Sequence, residues 1–335
     1  ILDPVLKDPQ NNFYSFWLYC RGFTAPIFFT ITGWIVYFLL LKNTTQGLRN
    51  PRIKKGLKRG VELILWGYLL RLNLPMLLLG QINNSFLKPD VLQIIGLGLI
   101  FIVSMYALFY FLKKGIAVLF LGISLLIFLM QPLYFDVTFN QLPSFLAAYL
   151  TKANGAVFYI FPWLGYVSFG AFIAVVFGPQ PSRFLIKSLV FAVLGILLVY
   201  KSSDFLVWIY DQTGWIIFNQ VAYNNFLFIR LGDVFLLVAG FIILNNFFSK
   251  GFWIWIGQKT LSIYIVHYFI LYGSIFGLGI YQYFKYSGSI IQSAVGALSF
   301  MSLCLVITYF VHQYRSRIFF ILWSKFKIKQ TPPYN

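Results

Sequence analysis

Nine long apolar runs divide the chain, at roughly 22–41, 61–80, 91–112, 115–131, 157–177, 184–200, 230–248, 256–279 and 289–312. A helix needs about 20 such residues to cross the hydrocarbon of a bilayer, and every backbone polar group in that layer must be satisfied internally. The pattern predicts an all-α, polytopic transmembrane helix bundle with nine spans. Charge agrees, because only 10% of the 335 residues are charged against about 25% in soluble domains. A soluble enzyme, a disordered chain and a disulfide scaffold are excluded. The 39 Phe, 22 Tyr and 9 Trp suit a lipid-facing surface with interfacial aromatic belts.

The net charge of +18 would suggest nucleic acid in a soluble chain. Here it sorts by connection. Residues 42–60 hold Lys42, Arg49, Arg52, Lys54, Lys55, Lys58 and Arg59, whereas 81–90 hold only Lys88 and Asp90. Lys113 and Lys114 follow, then 132–155 with Asp136 and Lys152, then Arg183 and Lys187. Residues 201–229 carry Asp204 and Asp211 against Lys201, Lys250 and Lys259 come next, and Lys285 stands alone before the tail. That tail has Arg315, Arg317, Lys325, Lys327 and Lys329. Basic connections alternate with poor ones, so the positive-inside rule places the N-terminus outside and the C-terminus in the cytoplasm. The expected organisation is an external segment 1–21, a transmembrane domain 22–312 and a basic cytoplasmic tail 313–335. Such a protein sits in a bacterial cytoplasmic membrane, with lipid as its first partner and no nucleic acid. An outward start at Ile1 without Met points to one further helix upstream, making ten spans in the complete protein, with a genuine N-out protein as the alternative.

No internal repeat is visible. The connections 132–155 and 201–229 are long enough for short interfacial helices, and Phe205, Leu206, Trp208 and Ile209 fit one. Cys20 and Cys304 lie in different apolar runs, and no metal-ligand spacing is present, so no metal is expected.

Ionisable groups inside apolar runs are costly and mark functional sites. His267 lies about eight residues past Lys259, roughly 12 Å into the membrane at the helical rise. Helical spacing aligns it with Thr260, Tyr264, Leu271 and Ser274, a polar stripe suited to a bundle interior. An imidazole there can exchange a proton near neutral pH, or can serve as a neutral hydrogen-bonding group between helices. Asp90, with Gln93 three residues on, reads as a helix N-cap as well as a site carboxylate. Arg230 and Asp233 are spaced to pair on one helix face, and Arg59 and Glu62 likewise. Arg71 falls on nearly the opposite side of its helix from Glu62. His312 closes the last run at the cytoplasmic surface.

Four segments together resemble the bacterial relatives of heparan-α-glucosaminide N-acetyltransferase. They are Arg21-Gly-Phe-Thr-Ala-Pro26 with Gly33, Asp90-Val-Leu-Gln93-Ile-Ile-Gly96, Phe161-Pro-Trp163-Leu-Gly165 with Gly170, and Ile256-Gly257 through Ser262, Tyr264 and His267. The resemblance implies transfer of an acyl group, acetyl foremost, from cytosolic acyl-CoA to an extracytoplasmic sugar or glycan. It also implies an upstream helix ending in an outward histidine, ahead of Ile1. On that reading His267, Asp90 and Arg21 are the catalytic candidates, and Arg230, Asp233, Gln93 and Tyr264 line the acceptor. Arg52, Lys54, Lys55 and Lys58 would attract the CoA phosphates, although the same charges serve the positive-inside pattern beside anionic lipid. A transporter or flippase using His267, Asp233 and Arg230, and a non-catalytic subunit of a larger membrane complex, are the competing readings. A homo-oligomer is compatible with each.

Overall fold

The computed structural model describes residues 10–82, 86–113, 115–178, 184–285 and 288–328, with backbone only over 315–328. The first nine residues, Arg183, Lys329 and the last residues of the tail lie outside the described residues. The helices in chain order are α1 (Asn12–Lys42), α2 (Pro51–Arg71), α3 (Leu74–Leu78), α4 (Val91–Phe109) and α5 (Gly115–Leu129). Next come α6 (Gln131–Tyr134), α7 (Ser144–Leu150), α8 (Ile160–Phe177), α9 (Phe184–Thr213), α10 (Ile216–Tyr223) and α11 (Phe226–Ile243). The last are α12 (Asn245–Phe248), α13 (Gly251–Gln258), α14 (Thr260–Tyr272), α15 (Tyr281–Phe284) and α16 (Ile290–Ile328).

The protein is all-helical with an integral-membrane pattern of apolar helices. Among the described residues, six helices are long and apolar enough to cross a membrane, in α1, α4, α8, α9, α11 and α16. A seventh is counted if α13 and α14, bent by 64° at their junction, make one span. The run at 61–80 meets a helix displaced toward the N-terminus, because Asn50 caps α2 through the Arg52 amide at 3.0 Å and Pro51 opens its first turn. Residues 51–59, expected as a loop, are therefore helix. Residues 204–211, expected as a separate interfacial helix, continue α9 without a break. Arg21, assigned by sequence to an external segment, lies within α1. Ser274 drops out of the helical stripe, because Gly273 (φ 71°) caps α14 in the left-handed region and stops the helix at Tyr272.

Two compact units divide the chain, one of Asn12–Leu72 with Met76–Phe248, the other of Asn73–Pro75 with the chain from Ser249 on. In the larger unit α8 packs on α1 and α5, α2 on α4, and α9 on α11. Three of these crossings close on glycine. A Cβ at Gly33 would stand 1.9 Å from the Val167 carbonyl oxygen, and one at Gly170 1.9 Å from that of Thr30, so α1 and α8 touch backbone to backbone. Gly60 and Gly96 do the same for α2 and α4, and Gly195 and Gly232 for α9 and α11. Small residues permit such approach where lipid offers no hydrophobic drive between helices. Phe29, Tyr37, Phe120, Phe128, Tyr166 and Phe191 fill the space between. In the smaller unit α14 packs on α16.

Candidate functional site

Where α2 ends and α4 begins, Asp90 does two tasks at once. Its Oδ1 accepts from the Val91 amide at 2.8 Å, and Gln93 Oε1 accepts from the Asp90 amide at 3.1 Å, which completes a capping box. Its Oδ2 lies 3.2 Å from Arg71 Nε, while Arg71 also donates to the Lys88 carbonyl oxygen at 2.7 Å. The cap reading of Asp90 is thus realised, and its second carboxylate oxygen is taken by Arg71. Gln93 is fully buried against Gly67, whose missing Cβ would stand 2.3 Å from Oε1, and its Nε2 has no hydrogen-bond partner among the described residues. Beside them Tyr68 and Tyr149 share a hydroxyl hydrogen bond of 2.6 Å. Burial, then that bond, pushes the Tyr149 hydroxyl well above its ordinary pKa, so it stays protonated.

A second polar group forms where α11 starts. Asp233 Oδ2 accepts from Arg230 at 2.9 Å, and Oδ1 accepts from the Tyr19 hydroxyl of α1 at 2.5 Å. The Arg230 guanidinium also lies over the Tyr19 ring, 4.3 Å from its centroid, and against Gly22. The side chains of Arg230 and Asp233 are only 18% and 7% exposed. This burial demands the three-way satisfaction observed. Arg21 makes no ion pair with Asp233 among the described residues, and its guanidinium lies 5.7 Å from the Trp17 ring centroid. Asp90 and Gln93 therefore belong to one group, Arg230 and Asp233 to another.

The ends of α1, α4 and α8 border an open cavity of about 540 Å³ lined by Tyr37, Leu41, Gln46, Tyr106, Tyr110, Phe111, Lys113, Val175 and Gly178. The Tyr106 hydroxyl donates to Gln46 Oε1 at 2.8 Å and accepts from the Gly47 amide at 3.1 Å and Asn50 Nδ2 at 3.2 Å. It thereby fixes the turn that leads into α2. Arg52, Lys54, Lys55 and Lys58 stand exposed on the first turns of α2. Positive charge and the positive end of the helix dipole coincide there.

In the smaller unit His267 sits half-buried on α14, its ring 4.8 Å from that of Tyr264 and 6.3 Å from that of Tyr268. Tyr264 is thus its neighbour, as the helical spacing requires. Lys259 Nζ donates to His312 Nε2. Among the described residues no three His, Cys, Asp or Glu side chains converge as metal ligands would.

Sequence reasoning overlooked Tyr19, Tyr37, Tyr106 and the Arg71–Asp90 pair. An arginine in an apolar run had to find a partner, and with Glu62 on the wrong face Asp90 was the nearest carboxylate in sequence. The three tyrosines carry no such signal, being ordinary members of aromatic-rich helices.

The family described as heparan-alpha-glucosaminide N-acetyltransferase, catalytic, matches residues 5–212. Its span takes in Arg21, the basic start of α2, Asp90, Gln93 and the cavity, and stops before Arg230, Asp233, Tyr264 and His267. No curated protein and no solved structure matches the chain. With more than half of its length inside the match, the chain belongs to the heparan-α-glucosaminide N-acetyltransferase catalytic family, whose members are membrane enzymes of acetyltransferase type.

Proposed function

We propose that this protein transfers an acyl group, acetyl foremost, from cytosolic acyl-CoA to a sugar or glycan on the opposite side of a bacterial cytoplasmic membrane. The observation that carries the reading is the cavity at one end of the larger unit, adjoining the basic first turns of α2. A polyanionic donor is attracted to Arg52, Lys54, Lys55 and Lys58, and the positive-inside pattern assigns that end to the cytoplasm. The Asp90–Gln93 group and the Arg230–Asp233 group stand at helix starts of the other end and suit a hydroxyl-rich acceptor. Arg21, which makes no ion pair among the described residues, is free to engage it.

His267 is the proposed proton acceptor. As the acceptor oxygen or nitrogen attacks the thioester carbonyl, the imidazole takes its proton, the C–S bond breaks, and the departing thiolate is protonated as free CoA. In the acyl-carrier variant the imidazole itself attacks the thioester first. Tyr264, in ring contact with His267, orients it.

The experiment is acetyl transfer from labelled acetyl-CoA to glucosamine by the full chain in proteoliposomes. Transfer is expected, with His267→Ala lowering kcat by at least about 100-fold. A fully active His267→Ala protein removes that residue from the chemistry. Failure of the unaltered protein to bind or use acetyl-CoA removes the enzyme reading.

A further inference from the structure

Resting on the acyl-CoA reading above, we propose that the cavity between Tyr37, Tyr106 and Tyr110 seats the donor's nucleotide base, and that the Tyr37 hydroxyl reads it. Its volume, about 540 Å³, lies within the usual range for small-molecule sites. Four of its nine lining residues carry rings: Tyr37 stands edge-on to Tyr106 at 5.8 Å, Tyr106 and Tyr110 lie 6.3 Å apart, and Phe111 is the fourth. Flat π-faces of this kind stack on nucleobases.

The polar inventory of the cavity narrows the ligand further. Tyr106 has three hydrogen bonds already, and the polar ends of Tyr110 and Lys113 belong to exposed residues that water serves. Gln46 spends its Nε2 on the Leu41 and Asn43 carbonyl oxygens and its Oε1 on Tyr106. Tyr37 is 2% exposed, lines the cavity, and makes no hydrogen bond through its hydroxyl among the described residues. A buried hydroxyl left open toward a cavity is a vacant recognition group. The pantetheine arm, with two amides to satisfy, fits these walls poorly. A flat heterocycle needs one reader and can keep its other polar edge toward the mouth.

Electrostatics separates the base from its phosphates. α1, α4 and α8 all finish here, so their C-terminal partial charges oppose an anion inside the cavity, and the cation of its lining, Lys113, is solvent-exposed. The N-terminus of α2 favours one, and the Gln46–Asn50 turn held by Tyr106 joins the two places. Base inside and phosphates over α2 is the arrangement both dipole signs support.

The test compares acetyl-CoA with S-acetylpantetheine, which lacks the nucleotide, and measures direct binding of adenosine 3′,5′-bisphosphate. Tyr37→Phe should raise KM for acetyl-CoA and weaken bisphosphate binding by about five-fold, the worth of one ordinary hydrogen bond. Tyr110→Ala should weaken both by about ten-fold through lost stacking. Neither variant should alter KM for S-acetylpantetheine, and Tyr37→Phe should leave the melting temperature unchanged because its hydroxyl holds nothing in the fold. Equal effects on both donors, or no effect of either variant, would overturn the assignment. Absence of bisphosphate binding by a protein that still uses acetyl-CoA would overturn this inference and leave the transferase reading standing.

Discussion

Asp233 keeps a carboxylate among apolar helices because two donors from different parts of the chain meet it, Arg230 one turn earlier and Tyr19 on α1. Removing one member of a buried pair strands the other, which costs about 3 kcal/mol. Asp233→Ala should therefore lower unfolding free energy in detergent by about that amount, whereas Tyr19→Phe should cost about 1 kcal/mol. The double variant Asp233→Ala with Arg230→Ala should cost less than the two single changes added together, as a double-mutant cycle reads. A strictly additive cycle would mean that the pair contributes nothing. Half of this group was legible in sequence, since an i,i+3 spacing places Arg230 and Asp233 on one face. Tyr19 was not, because nothing local marks one tyrosine of an aromatic helix as the partner of a carboxylate 214 residues away. The same holds for Asp90: its capping box with Gln93 is written in four consecutive residues, but its pairing with Arg71 depends on how α2 meets α4.

Helices are set by their ends and closed by their glycines. Apolar length predicted the existence of most of them, and caps decided where they begin. The run at 61–80 misplaced α2 because Asn50 and Pro51 start the helix inside the basic segment, where charge had suggested a loop. The stripe through His267 lost Ser274 because Gly273 ends α14 by adopting a positive φ that a smooth apolar run does not reveal. At the α1–α8 crossing the prediction is severe: Gly33→Leu and Gly170→Leu each drive a side chain into a facing carbonyl oxygen. Each should cost more than the ~1–3 kcal/mol of ordinary overpacking, seen as aggregation or loss of a monodisperse peak in size-exclusion chromatography. Gly122→Leu, where a Cβ would meet nothing within 4 Å, should leave that peak unchanged and serves as the control.

Across the larger unit, polarity is segregated. The basic turns of α2 and the aromatic cavity occupy one end of the helices, and the Asp90 and Asp233 groups occupy helix starts of the other. The 19 residues of α4 separate the two by about 28 Å at the helical rise, close to the thickness of bilayer hydrocarbon. In the proposed topology the basic end is cytoplasmic, so Lys58→Cys should resist an impermeant thiol reagent in intact cells while Asn140→Cys reacts. Labelling of position 58 instead would invert the topology. Donor and acceptor chemistry on opposite faces is the central claim, and vectorial transfer in sealed, oriented proteoliposomes tests it most directly. Labelled acetyl-CoA is supplied only on the face that carries Lys58, and glucosamine only on the face that carries Asn140. Acetylated glucosamine should accumulate on the Asn140 face, and reversing the two compartments should abolish it. Transfer that proceeds only in the reversed arrangement, or in neither, would contradict the claim.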